Sequence, residues 1–88
     1  MHEVRIPNLG AQIDDAEITE WLASEGARVE VGEVITILET EKSSYDLEAS
    51  HSGILHIITE VSDDRISVGE LIGIIADSDE EYEKARSK

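Results

Sequence analysis

Apolar residues in this chain fall into short extended runs rather than helical stripes. Glu3 to Ile6 alternates and is ended by Pro7, which has no N–H to offer a ladder. After the polar loop Asn8 to Asp15, Ala16 to Ala23 reads as a second strand, with Ile18 and Leu22 assigned to the core and Trp21 to packing rather than ligand stacking. Ser24-Glu25-Gly26 turns the chain, Val29 and Val31 alternate as a short strand, and Gly32-Glu33 turns it again. Val34 to Leu38 is apolar at successive positions, the pattern of a strand buried on both faces. A polar turn separates it from a further extended run, Tyr45 to Ala49.

The second half repeats the first. Arg28 to Leu38 aligns with Arg65 to Ile75 at an offset of 37, with six of eleven positions identical. Extended backwards, Ala16 to Trp21 meets Gly53 to Ile58. One four-strand copy cannot bury a face alone, whereas two packed copies can. The prediction is an all-β fold: a flattened eight-stranded sandwich or barrel of two four-stranded antiparallel sheets with quasi-twofold symmetry, a barrel-sandwich hybrid. The symmetry puts the Thr40–Lys42 turn at one end and its counterpart, Asp77–Asp79, at the other. The Asn8 to Asp15 loop, longer than its counterpart Ser50-His51-Ser52, is expected to flank the turn. Residues 1–76 form the predicted domain, and 77–88, polar and without apolar period, read as the start of a linker.

Composition narrows the function classes. A chain of 88 residues makes one small domain with a thin core. There is no Cys, so no disulfide framework or thiolate metal site is possible, and His2, His51 and His56 share no ligand spacing. A net charge of −14 argues against nucleic acid and anionic membranes as partners. No apolar run approaches the roughly 18 residues of a spanning helix, and no charged-then-apolar leader is visible. A cytoplasmic location is expected, or the mitochondrial matrix after loss of a transit peptide, and not secretion. No Ser/His/Asp set, paired acid cleft or Gly-rich phosphate loop points to a catalytic centre of its own.

One lysine stands apart. Lys42 is the only lysine before residue 84 and lies at the tip of the turn Thr40-Glu41-Lys42-Ser43. With no Gly or Asn-Gly pair, a type I turn is predicted. Glu39-Thr40-Glu41-Lys42-Ser43 resembles the E-T-D-K-A signature of lipoyl domains, the swinging-arm carriers of 2-oxoacid dehydrogenase complexes. Ile6-Pro7-Asn8-Leu9-Gly10 resembles that family's opening strand and loop, and Glu17-Ile18-Thr19-Glu20-Trp21 its G-x-I-x-x-W segment. Gly26 to Glu33 resembles G-D-x-V-x-x-G-D, and Glu48-Ala49-Ser50 the E-x-x-S exit. The departures are Glu41 for Asp, Ser43 for Ala, Glu17 for Gly, and Asp63-Asp64 for the second Gly-Asp.

The resemblance implies a non-catalytic domain of a dihydrolipoyl acyltransferase chain, carrying lipoate amide-linked to Lys42. Thr40, Glu41 and Ser43 would shape the turn and its recognition by a lipoate ligase or lipoyl transferase. Asn8, Gly10, Ala11, Gln12, Ile13, Asp14, Glu39 and Asp46 would be read by partners. Those partners would be a thiamine-diphosphate-dependent 2-oxoacid dehydrogenase, the acyltransferase catalytic domain and dihydrolipoamide dehydrogenase, with the isolated domain monomeric. Two alternatives stay open. A biotin carrier shares the hairpin but sets its lysine between methionines, whereas Met1 is the only Met here. In an unmodified adaptor of the same fold, Lys42 would be an ordinary turn residue.

Overall fold

A computed structural model describes residues 1–87; Lys88, the end of the expected tail, lies outside the described residues. The chain forms β1 (His2–Arg5), β2 (Asp15–Trp21), β3 (Arg28–Val29), β4 (Val34–Glu39), β5 (Ser44–Glu48), β6 (Gly53–Ile57), β7 (Ile66–Ser67) and β8 (Leu71–Ala76), followed by α1 (Asp79–Arg86). One sheet has the order β1-β8-β6-β3 and the other β5-β4-β2-β7, with antiparallel pairs throughout. Advancing each strand of the first sheet by four in the chain cycle gives the second sheet, which is the symmetry the repeat predicts. The sheets stay separate, so the fold is an open sandwich rather than a closed barrel.

Branched side chains from both sheets fill the space between them. Ile6, Ile18, Val29, Ile35, Leu38, Leu55, Ile72 and Ile75 are almost wholly removed from water. Trp21 packs against this cluster, and its indole Nε1–H donates to the Thr59 carbonyl at 2.9 Å.

One assigned core position, Leu22, and one assigned strand position, Val31, are corrected. Leu22 is 49% exposed because β2 carries a bulge between Ile18 and Glu20. The extra residue resets the two-residue period, so Trp21 and Ala23 turn inward after Ile18 and Leu22 turns out. Val31 is 64% exposed because β3 stops at Val29 and the next residues close a turn, with Glu33 N–H donating to the Glu30 carbonyl at 3.0 Å.

The tail is also corrected: most of the expected linker is helix. Ser78 caps α1 by accepting the Glu81 N–H at 3.2 Å. Asp79, Glu80 and Glu81 fill the first turn and Lys84 and Arg86 the last, an order that suits the helix dipole. The helix docks on β6 and β8. Tyr82 donates its hydroxyl to Glu25 Oε2 at 2.7 Å, and Glu25 also accepts the Ile57 N–H and meets His56 Nδ1. Ala85 is buried beneath it.

These registers define the two ends of the molecule. Glu39 faces Ser44 and Glu17, and nearby Asp15 pairs with Ser67. Val68 N–H donates to the Asp14 carbonyl and Gly69 N–H to the Ile6 carbonyl. The β4–β5 turn, the Asn8–Asp14 loop and the start of β8 therefore share one pole. β8 then runs away from it, and at the far pole the Met1 amine lies 3.2 Å from Glu81 and 3.6 Å from Asp77.

Candidate functional site

The β4–β5 turn is closed by a side chain. Thr40 N–H donates to the Ser43 carbonyl at 2.8 Å. Thr40 Oγ1 donates to the same carbonyl at 3.0 Å and accepts the N–H groups of Lys42 at 3.2 Å and Ser43 at 3.1 Å. No turn residue has positive φ, in keeping with the absence of Gly. The type I expectation is corrected in one respect. The Ser43 N–H meets the Thr40 hydroxyl rather than the Thr40 carbonyl, because threonine can fold its side chain over its own turn.

The four turn residues divide sharply by exposure. Thr40 is buried at 7%, whereas Glu41, Lys42 and Ser43 are exposed. Among the described residues no hydrogen bond or ion pair engages the Lys42 amine. A long, unpartnered stem on a pinned turn can reach another protein's active site without first leaving one of its own. The same hairpin carries carboxylates: Glu39 at the end of β4, Glu41 in the turn, and exposed Asp46 opposite Ile37.

The loop expected to flank the turn does come to the same pole. Asn8 Oδ1 accepts the Gly10 N–H at 3.0 Å, and Ile13 N–H reaches the Gly10 carbonyl at 3.3 Å. Ala11 and Gln12 are exposed at its tip, with Gln12 at φ +67. The loop is more tightly packed than its polar composition suggests: Leu9 packs on the core, Ile13 is half-buried, and the Asp14 carbonyl accepts the Val68 N–H just after β7. Among the described residues, no hydrogen bond joins this loop to the Thr40–Ser43 turn.

Sequence reasoning missed Arg65. Its guanidinium grips Asp15 Oδ1 through Nε at 2.9 Å and Nη2 at 2.6 Å, and reaches Glu17 at 3.4 Å. It thereby ties the loop's exit to the strand beside Glu39. Its place in the repeat opposite Arg28 marked it in the sequence, but its partners lie about 50 residues away and only the fold brings them near. The S-x-x-E signal at Ser78 to Glu81 was readable as a helix start.

A model of the biotin/lipoyl attachment family, described as "Biotin-requiring enzyme", matches residues 2–75. The chain belongs to the biotin/lipoyl attachment family. Relatives within it include the dihydrolipoyllysine-residue succinyltransferase component of the 2-oxoglutarate dehydrogenase complex of Bacillus subtilis. That protein is 39% identical over 77 residues, covering 88% of this chain and 18% of the relative. The acetyltransferase component of the pyruvate dehydrogenase complex of Corynebacterium glutamicum is 36% identical over 77 residues, 88% of this chain and 11% of the relative. The chain thus spans under a fifth of the curated relatives it matches. In three dimensions it resembles the lipoyl domain of the Azotobacter vinelandii 2-oxoglutarate dehydrogenase complex. The TM-score is 0.70 with 25% identity, covering 88% of this chain and 98% of that one. The likeness is to lipoyl domains of acyltransferase chains, carriers rather than catalysts, and the family match ends before α1 begins.

Proposed function

We propose that Lys42 carries lipoate in amide linkage, and that the domain moves acyl groups and reducing equivalents between the active sites of a 2-oxoacid dehydrogenase complex. The observation that carries this reading is the exposed, unpartnered Lys42 amine on a pinned turn. The residues present suit lipoate, because amide formation removes the lysine's charge where no carboxylate holds it. When bound, lipoate supplies a dithiolane that accepts acyl groups and electrons.

The protein's own part is placement. Its turn holds the attachment point clear of both sheets, and its sandwich keeps that point at the pole opposite Met1. Tethering to a larger assembly raises the local concentration of the arm at each partner. Those partners are the thiamine-diphosphate-dependent dehydrogenase, the acyltransferase catalytic domain and dihydrolipoamide dehydrogenase, with a lipoate ligase or transferase loading the domain, which works as a monomeric unit. The same reading carries the compartment with it: the domain works where its complex does, in a bacterial cytoplasm or a mitochondrial matrix.

Intact mass after co-expression with lipoate ligase and lipoate tests the proposal. One lipoyl group should be added to the wild type and none to Lys42→Ala, whose stability should stay within about 0.5 kcal/mol because an exposed turn side chain contributes little. Addition of biotin by a biotin ligase instead, or lipoylation of Lys84 in the variant, would refute it.

A further inference from the structure

Thr40 stands out among the residues of the Lys42 turn because it alone is buried. Its hydroxyl makes three hydrogen bonds within the turn. A hydroxyl has one proton to donate and two lone pairs to accept with, and all three are used within the turn. The donated bond fixes Thr40 to the Ser43 carbonyl, and the accepted bonds hold the N–H groups of Lys42 itself and of the residue after it.

We propose that the Thr40 hydroxyl is the positioning group that aims Lys42 at the enzyme that loads it. The inference rests on the carrier reading of Lys42 and assigns a mechanism to a residue the loading enzyme does not read directly. Without the hydroxyl, one backbone bond remains across the turn, from Thr40 N–H to the Ser43 carbonyl. The Lys42 and Ser43 N–H groups would turn to water, and the backbone from residue 41 to 43 would sample several shapes. The amine would still be present and exposed, but it would point correctly only part of the time.

This mechanism has a kinetic signature. A site that is competent for a fraction of the time binds more weakly by that fraction. Once seated in the loading enzyme, the turn has the right shape and the chemical step is unaltered. Loss of the hydroxyl should therefore raise KM and leave kcat unchanged, whereas a residue that contacted reacting atoms would lower kcat.

The test uses the unlipoylated domain as substrate for lipoate ligase, with wild type, Thr40→Val and Thr40→Ser compared. Valine keeps the branched shape and buried volume but lacks the hydroxyl; serine keeps the hydroxyl and lacks the methyl. Thr40→Val should raise KM about tenfold, the equivalent of about 1.4 kcal/mol, at unchanged kcat. Thr40→Ser should stay within about twofold of wild type, since its hydroxyl can make the same bonds at some cost in χ1 freedom. Amide hydrogen exchange, measured before any loading, should quicken at Lys42 and Ser43 in the valine variant alone. A wild-type KM for Thr40→Val overturns the proposal. So does a serine variant as impaired as the valine one, which would assign the effect to the methyl. Should the wild type not be loaded at all, the carrier reading fails, while the exchange comparison still decides whether the hydroxyl pins the turn.

Discussion

Replacing Gly53 by alanine should damage this fold more than any comparable glycine substitution, and the reason is geometric. Gly53 opens β6 at φ +156, where the strand meets the end of β8. A Cβ built there would press into the Ala76 carbonyl oxygen and lie 2.7 Å from Ile75 Cγ2. The first is backbone, so relief requires β6 and β8 to separate at the Ile54–Ala76 end of their ladder. Overpacking of this kind costs about 1–3 kcal/mol. The unfavourable φ adds about 1–2 kcal/mol. Together these give about 2–5 kcal/mol against an ordinary domain stability of about 5–15 kcal/mol. At about 4–8 °C per kcal/mol for a domain of this size, the melting temperature should fall by roughly 8–40 °C.

Gly32 and Gly69 supply the control, since both have φ near +90 and a Cβ on either would meet nothing within 4 Å. Gly32→Ala and Gly69→Ala should therefore show the φ penalty alone. Thermal unfolding followed by circular dichroism makes the comparison, and a Gly53→Ala domain melting alongside the other two would refute the argument. Gly53 lies at the pole opposite Lys42. Below its melting range the variant should thus be loaded by lipoate ligase with wild-type KM, separating damage to the fold from damage to the site.

Two further outcomes follow from the first loop and from the docking of α1. The exposed tip of the first loop should govern choice of dehydrogenase: Ala11→Lys with Gln12→Lys should lower kcat/KM for reductive acylation, with ligase loading and melting unchanged, since neither side chain is buried. Equal acylation of the fully lipoylated variant would place recognition elsewhere; shortening the loop is a poorer test, because it removes half-buried Ile13 and the Asp14 carbonyl that holds Val68. The docking of α1 should depend on pH at both ends of the scale. Burial alone would push the Glu25 carboxyl up, but hydrogen bonds from His56, the Ile57 N–H and Tyr82 outweigh it and hold the group below its ordinary 4.5. A depressed carboxylate stabilises the folded form above that ordinary value, and the contribution is lost as pH falls through the folded one. The bond to Glu25 raises the Tyr82 hydroxyl above its ordinary 10.0, so its contribution is present below 10 and lost as pH rises through the shifted value. The Ala85 amide shift should report release of the helix in acid and in strong base. Glu25→Gln should alter the acid step, and an unaltered acid profile would contradict the assignment.

The sequence alone determined the sandwich and singled out the lysine at the tip of its hairpin. The repeat from Arg28 to Leu38 and Arg65 to Ile75 specifies two like sheets, because equal apolar patterns form equal strands and neither copy can bury itself. Lys42 was legible because a hairpin turn is local: its flanking strands and its residues lie within a dozen positions of one another. Tertiary structure decided the rest. Whether Leu22 faces in or out depends on a bulge that β2 adopts against β4, a pairing partner the local pattern does not contain. The tail became a helix because Glu25, Ile57 and the outer surface of β6 and β8 give Tyr82 and Ala85 somewhere to dock. Eight residues of helix would be marginal in water by themselves. Arg65 found Asp15 for the same reason, through strand register rather than sequence proximity. The burial of Thr40 likewise emerged only once the end of β4 was packed, turning a motif letter into the group that closes the Lys42 turn.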